Sequence, residues 1–280
     1  MRLLVTGGTG FLGTAVIAAA DAAGHDVIAA RHNSPPPMEG PRPSGWVMLD
    51  VTDPHSVTSA LEGADAVVHT AYRHSGDGVE KVNVTGAAVV AKATDIAGVR
   101  LVHVSSDVVF AGKPPRTEGY QEADRPDPVE GFDYGQQKAS AERLVRAAHP
   151  GATIARTTLL YDGEGGSSLE RMVISSAHPG SDTAHFTDEY RCPVHVDDVA
   201  SALVQLAETE GESSPQVAHL GGPARMSRAE IARALAPHLG IDPEAMRTAS
   251  SAESPGDRPA DLTLDSSFAR QLLGFTPRNL

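Results

Sequence analysis

Tyr134 and Lys138 are the pair whose types and spacing point most directly to chemistry, in the run Tyr134-Gly135-Gln136-Gln137-Lys138. On a helix, residues four apart share a face, one turn from each other. A tyrosine titrates near ~10 in water, too high for ready proton exchange at neutral pH. A nearby ammonium stabilises the phenolate and lowers that value. The phenol then serves as general acid in a reduction and general base in an oxidation. Lysine is scarce, the others being Lys81, Lys92 and Lys113. The spacing also arises by chance, so its weight depends on where the fold places it. Ser105-Ser106-Asp107-Val108-Val109-Phe110 adds a hydroxyl at a strand end. Such a hydroxyl can hold a substrate carbonyl and orient it for hydride attack. Local backbone bonding by serine in a turn is the alternative.

A second motif opens the chain. Thr6-Gly7-Gly8-Thr9-Gly10-Phe11-Leu12-Gly13 fits G-x-G-x-x-G at Gly8, Gly10 and Gly13, and G-x-x-G-x-x-G at Gly7, Gly10 and Gly13. One glycine permits the tight turn, one lets the backbone approach a pyrophosphate, and the last lets a helix pack on its strand. The helix start offers N–H groups and a positive dipole end to phosphate. Gly7, Thr9, Gly10, Phe11, Leu12 and Gly13 are therefore expected to bind a dinucleotide. An acid at the end of the second strand would bind the 2′-hydroxyl of NAD. Arg31 stands there instead, followed by His32 and Asn33. An arginine pairs with a 2′-phosphate, so NADP is expected, with NAD as the alternative. Asp50-Val51 after the third strand either sits near the adenine amino group or caps a helix. His69-Thr70-Ala71 is expected to line the cofactor cleft. Tyr134 and Lys138 would also touch the cofactor, Lys138 through the nicotinamide ribose.

The elements that must position these residues alternate. Strands are expected at Leu3–Val5, Asp26–Ala30, Trp46–Leu49, Ala66–His69, Leu101–Val104 and Ala152–Ala155. Helices are expected at Phe11–Ala23, Pro54–Leu61, Val79–Ile96 and Phe132–Ala148. A Pro-rich loop runs from Ser34 to Ser44. This order implies parallel strands with right-handed crossovers, hence an α/β, Rossmann-type doubly wound sheet. Beyond Arg156 the pattern loosens. Gly163 to Ser168 reads as a flexible turn, Val199–Glu208 and Arg228–Leu239 as helices, Val217–Leu220 as a strand, Ser250–Pro259 as an extended tail and Ser266–Leu273 as a helix. The expected division is residues 1–156 as dinucleotide-binding domain and 157–280 as mainly a smaller substrate lobe, with elements returning to the core.

Together these motifs resemble the extended short-chain dehydrogenase/reductase family, in particular its dTDP-4-dehydrorhamnose reductase branch. Further similar segments are Ser105 to Gly112, Glu118 to Pro128, Arg156-Thr157, Arg191 to Ala200 and Arg258 to Leu262. The resemblance implies a ketoreductase using NAD(P)H, with a 4-keto nucleotide-linked sugar as substrate. It assigns the catalytic hydroxyl to Ser106 rather than Ser105, and gives Asn83 a part in placing the site's backbone. Gln137 departs from the branch, where serine usually precedes the lysine. The segment from Ala71 to Asn83 is short and carries Arg73, His74 and Gly76. Dehydratases of this family need a second acid after Asp107, and Val108 stands there. A 4-epimerase with tightly held NAD is one alternative. An NADP-binding regulatory subunit, as for methionine adenosyltransferase, is another.

Composition narrows the classes. The net charge of −13 over 280 residues argues against a nucleic-acid partner. The single Cys192 allows no intrachain disulfide and is expected as a buried small residue. No Cys-x-x-Cys or His-Glu-x-x-His spacing suggests a metal site. No signal-peptide pattern or membrane-length apolar run is seen, so a cytoplasmic enzyme without membrane partner is expected. Val79–Ile96 and Phe132–Ala148 are candidate helices for a homodimer.

Overall fold

The computed structural model describes residues 1–113, 118–211, 214–253 and 257–280. Strand β1 (Arg2–Thr6) is an aliphatic run that ends where the glycines begin. Helix α1 (Phe11–Ala22), β2 (Asp26–Arg31) and β3 (Gly45–Met48) follow. Helix α2 (Pro54–Ala60) starts from Asp53, whose carboxylate accepts the His55 N–H. Then come β4 (Ala66–His69), α3 (Ala87–Ala97), β5 (Arg100–Ser106), α4 (Asp133–Ala148) and β6 (Thr153–Thr157). Helices α5 (Ser168–Ser176) and α6 (Val196–Glu208), β7 (Val217–Leu220) and α7 (Arg228–Leu235) complete the longer elements before the last helix, α8 (Ser267–Leu273).

The seven-stranded sheet has the order β7-β6-β5-β4-β1-β2-β3. β1 pairs in parallel with β2 and β4, β2 with β3, and β4 with β5. Strand order reverses between β1 and β4, which is the switch point where open α/β sheets bind ligands. This is a Rossmann-like doubly wound fold, with additional C-terminal helices and short strands forming a smaller lobe.

The chain divides into two compact units. One comprises Met1–Ser105, Gln137–Ala155 and Ala200–Ala218; the other comprises Ser106–Gln136, Arg156–Val199 and His219–Leu280. In the first, strand alternation turns Leu4, Val67 and Leu101 to a common face, where they pack with Val90, Val145 and Ile154. In the second, Leu169 and Val173 of α5 meet Ile231 and Leu235 of α7. Both helices open with a capping box, Ser167 with Glu170 and Ser227 with Glu230.

The structure departs from the sequence expectation in four places. The helix expected over Val79–Ile96 does start at Val79, but it is π-helical across Lys81–Gly86 before it continues as regular α-helix from Ala87. The helix expected over Arg228–Leu239 ends at Leu235. Pro237 has no N–H to continue it, and Ala236–Leu239 tightens to a 3₁₀ turn. The turn from Gly163 to Ser168 is tied down by buried Glu170, whose carboxylate accepts the Gly163 and Ser167 N–H groups at 2.6 and 3.0 Å. In the tail, Ser251–Glu253 forms a 3₁₀ turn, and Ser254, Pro255 and Gly256 lie outside the described residues.

Candidate active site

The glycine turn is built on close backbone approach. Gly7 has φ 67°, and a Cβ there would lie 2.9 Å from the Ala71 backbone. A Cβ on Gly13 would lie 2.2 Å from the Gly7 carbonyl oxygen. Gly10 occupies the N-cap of α1 and offers no side-chain cap. The helix start thus keeps N–H groups for a ligand. Beside the turn lies a cavity of about 380 Å³ whose lining includes Gly7, Thr9, Arg31, Asp50, Val51 and Ala71. His32, Arg73 and Lys81 add positive or ionisable groups to it. A glycine cradle that a Cβ would fill, beside a basic cavity on an acidic chain, fits a dinucleotide phosphate.

The remaining residues expected at this edge take supporting places. Gly10, Phe11, Leu12 and Gly13 form the turn and first helical residues, and the Thr70 hydroxyl donates to the Thr6 carbonyl at 2.6 Å. His69 does not line the cavity, contrary to expectation. Alternation along β4 turns it to the face of Val67, where it is buried, 2.7 Å from the Thr6 hydroxyl and stacked 5.3 Å from His103. Burial, with Lys138 nearby, lowers its pKa to about 3. Asp50 is not a helix cap either, since Asp53 fills that role. The Asp50 carboxylate accepts the N–H and hydroxyl of Thr52, which hold it below the usual carboxylate range.

In the same unit, Asn83 clamps the chain leaving β4. Its Oδ1 accepts the Arg73 N–H at 2.9 Å, and its Nδ2 donates to the Arg73 carbonyl at 3.0 Å and to Gln137 Oε1 at 2.9 Å. Gln137, which the sequence marks only as a departure, is thereby the partner of Asn83. Lys138 is buried, and its Nζ donates to the Val104 carbonyl at 3.0 Å and lies 5.4 Å from the Tyr72 ring centroid. Burial lowers its pKa to about 8, and Glu142 opposes that shift. Tyr72 and Glu142 are neighbours that sequence reasoning missed. Glu142 was in principle visible, four residues beyond Lys138 on the same helix face.

In the other unit, Ser106 caps the 3₁₀ turn Asp107–Val109, and its hydroxyl donates to Asp107 Oδ1 at 2.9 Å. Tyr134 stands half-buried in the first turn of α4, its ring edge-on to Phe132 at 6.4 Å. A Cβ on Gly135 would lie 2.5 Å from the Val108 carbonyl oxygen. Glycine therefore lets the start of the tyrosine's helix touch the turn that Ser106 caps. Asp107 accepts the Thr158 hydroxyl at 2.7 Å and lies 3.7 Å from Arg191 Nε. Burial pushes its carboxyl up, against the pull of Arg191. Cys192 is buried, and burial pushes its thiol up to about 12, which leaves it unreactive. Among the described residues no group of three or more His, Cys, Asp or Glu could hold a metal ion, and no helix is long and apolar enough to cross a membrane.

A parallel sheet with its glycine turn at the switch point defines the chain as Rossmann-type α/β. It belongs to the RmlD substrate binding domain family, whose model matches residues 1–280. It is 32% identical over 292 residues to dTDP-4-dehydrorhamnose reductase of Mycobacterium tuberculosis (strain CDC 1551 / Oshkosh), covering 99% of this chain and 88% of that one. It is 30% identical to methionine adenosyltransferase 2 subunit beta of Bos taurus, covering 95% and 80%. Among solved structures it resembles dTDP-4-dehydrorhamnose reductase from Bacillus anthracis str. Ames in complex with NADP. The TM-score is 0.77 at 23% identity, covering 98% of this chain and 93% of that one.

Proposed function

We propose that this protein is an NADPH-dependent ketone reductase acting on a nucleotide-linked 4-keto sugar. The observation that carries the reading is the placement of Tyr134 and Lys138 one turn apart on α4, with the start of that helix packed on the turn capped by Ser106. Bound NADPH would supply the hydride. Gly7, Thr9, Gly10, Phe11, Leu12 and Gly13 hold its diphosphate, and Arg31 pairs with its 2′-phosphate. Asp50, Val51, Thr70 and Ala71 border the same ligand. Ser106 holds the substrate's carbonyl oxygen, and Tyr134 delivers a proton to it. Lys138 stabilises the phenolate and holds the ribose. Residues 157–280 supply mainly the sugar-nucleotide contacts. The names of the mycobacterial and Bacillus relatives support the substrate class, and the latter's complex with NADP supports the cofactor.

Tyr134→Phe tests this. Turnover of a dTDP-4-keto sugar should fall by about 10²–10⁴, the loss of a general acid, while NADPH affinity stays near its original value. Unchanged turnover would remove the assignment. The 30% identity to a methionine adenosyltransferase subunit favours a second reading, an NADP-binding regulatory subunit. Tight NADPH binding without turnover of any ketone in a broad panel selects that reading instead.

A further inference from the structure

Helix α4 carries a buried acid that the proposed reaction does not use. Glu142 is 2% exposed and stands four residues beyond Lys138, on the same helix face. Its Oε1 accepts the Ser105 hydroxyl at 2.6 Å. The neighbouring residue on β5, Val104, receives the Lys138 ammonium on its carbonyl oxygen at 3.0 Å. Two consecutive residues of one strand therefore hold the acid and the lysine.

Among the described residues, the other groups shown around Lys138 bring it no negative charge. Tyr72 presents a ring face. His69 from β4 and His103 from β5 are buried, stacked on each other and kept neutral by burial. Both ring nitrogens of His103 are buried without a hydrogen-bond partner. On α4 itself stand Tyr134 and Glu142. An ammonium taken out of water loses its proton unless a counter-charge compensates it.

We propose that Glu142 is a positioning residue for Lys138, its carboxylate anchored by the Ser105 hydroxyl so as to hold the buried ammonium in place and charged. The consequence for catalysis rests on the reading of Lys138 as a site residue; the hold itself is a property of the folded chain. A purely structural role for Glu142 would need only an oxygen for Ser105 and would survive Glu142→Gln. An electrostatic role would not.

The chain has four lysines, so lysine-selective isotope labelling with Lys138→Arg for assignment gives a direct NMR titration of Lys138. In Glu142→Gln its midpoint should fall by about one pH unit, since removing a nearby opposite charge disfavours the ammonium. Lys81, Lys92 and Lys113 should not move. An unchanged Lys138 midpoint overturns the proposal. Should that variant fail to fold, Ser105→Ala carries the test. Releasing the carboxylate should lower the midpoint by a smaller amount, and no change overturns the proposal equally. In turnover, the alkaline limb of the kcat/KM profile should move to lower pH in Glu142→Gln. An NMR shift without that movement upholds the hold of Glu142 on Lys138 and counts against the role of Lys138 in the proposed reaction.

Discussion

The two units settle their charges in opposite ways. In the first, ion pairs such as Arg2–Asp26 and Lys92–Asp95 lie at the surface, with side chains 37–61% exposed. Its cofactor edge is shaped by backbone, through glycines that admit no Cβ. In the second, the carboxylates of Asp107, Glu189 and Asp261 are 4%, 1% and 0% exposed and are met by Arg191, Arg258 and Arg225. An exposed pair is weak because water competes for both partners, whereas a buried carboxylate stripped of its partner is left uncompensated. Apart from the buried Glu142 and Lys138 of α4, the first unit should therefore respond to steric changes and the second to removal of charge.

Arg225→Ala, which strips the buried Asp261 carboxylate of its partner, should show the largest effect. This carboxylate accepts Arg225 Nε at 2.9 Å and both the N–H and hydroxyl of Thr263 at 3.1 and 2.7 Å. Loss of the guanidinium should cost about 3–5 kcal/mol in urea unfolding. A cost under about 1 kcal/mol would erase the contrast between the units. Acid should act on both units together. Burial lowers His69 to about 3 and His185 and His219 to about 4, each from 6.5. The unfolded chain then takes up protons first as pH falls. Stability present above about pH 6.5 should erode between there and pH 3–4. A urea midpoint constant from pH 7 to 5 would contradict this.

Gly13→Ala probes the backbone edge. The added methyl would lie 2.2 Å from the Gly7 carbonyl, so a destabilisation of about 1–3 kcal/mol with loss of NADPH binding is expected. Binding retained in calorimetry would show that the turn yields. Arg31→Ala should weaken NADPH by about tenfold or more and leave NADH nearly unchanged, as expected for a lost charge-assisted phosphate contact. Equal losses for both would refute the 2′-phosphate assignment. Asp26→Ala should be the mildest, within about 1 kcal/mol, because its partner Arg2 is itself 44% exposed. A larger cost would mean that surface pairs of the first unit matter as much as the buried ones of the second.

The parallel sheet, the glycine turn and the helix bearing Tyr134 and Lys138 were legible from residue pattern alone. Each depends on local rules, namely alternation, breaker placement and the helical repeat. His69 shows where such rules stop. Its place at the end of β4 was legible, but its burial against Thr6 and His103 depended on which strands flank it. The π-helical turn at Lys81–Gly86 left no sequence signal that period counting detects.

The two serines closing β5 mark the same boundary. By itself the sequence determined that hydroxyls end that strand and that the strand's side chains alternate between faces. Tertiary structure decided what each face meets. Ser105 turns to α4 and bonds Glu142, while Ser106 caps the turn against which the helix of Tyr134 begins. Alternation is a property of one backbone, but the partner on each face comes from residues tens of positions away and is set by packing.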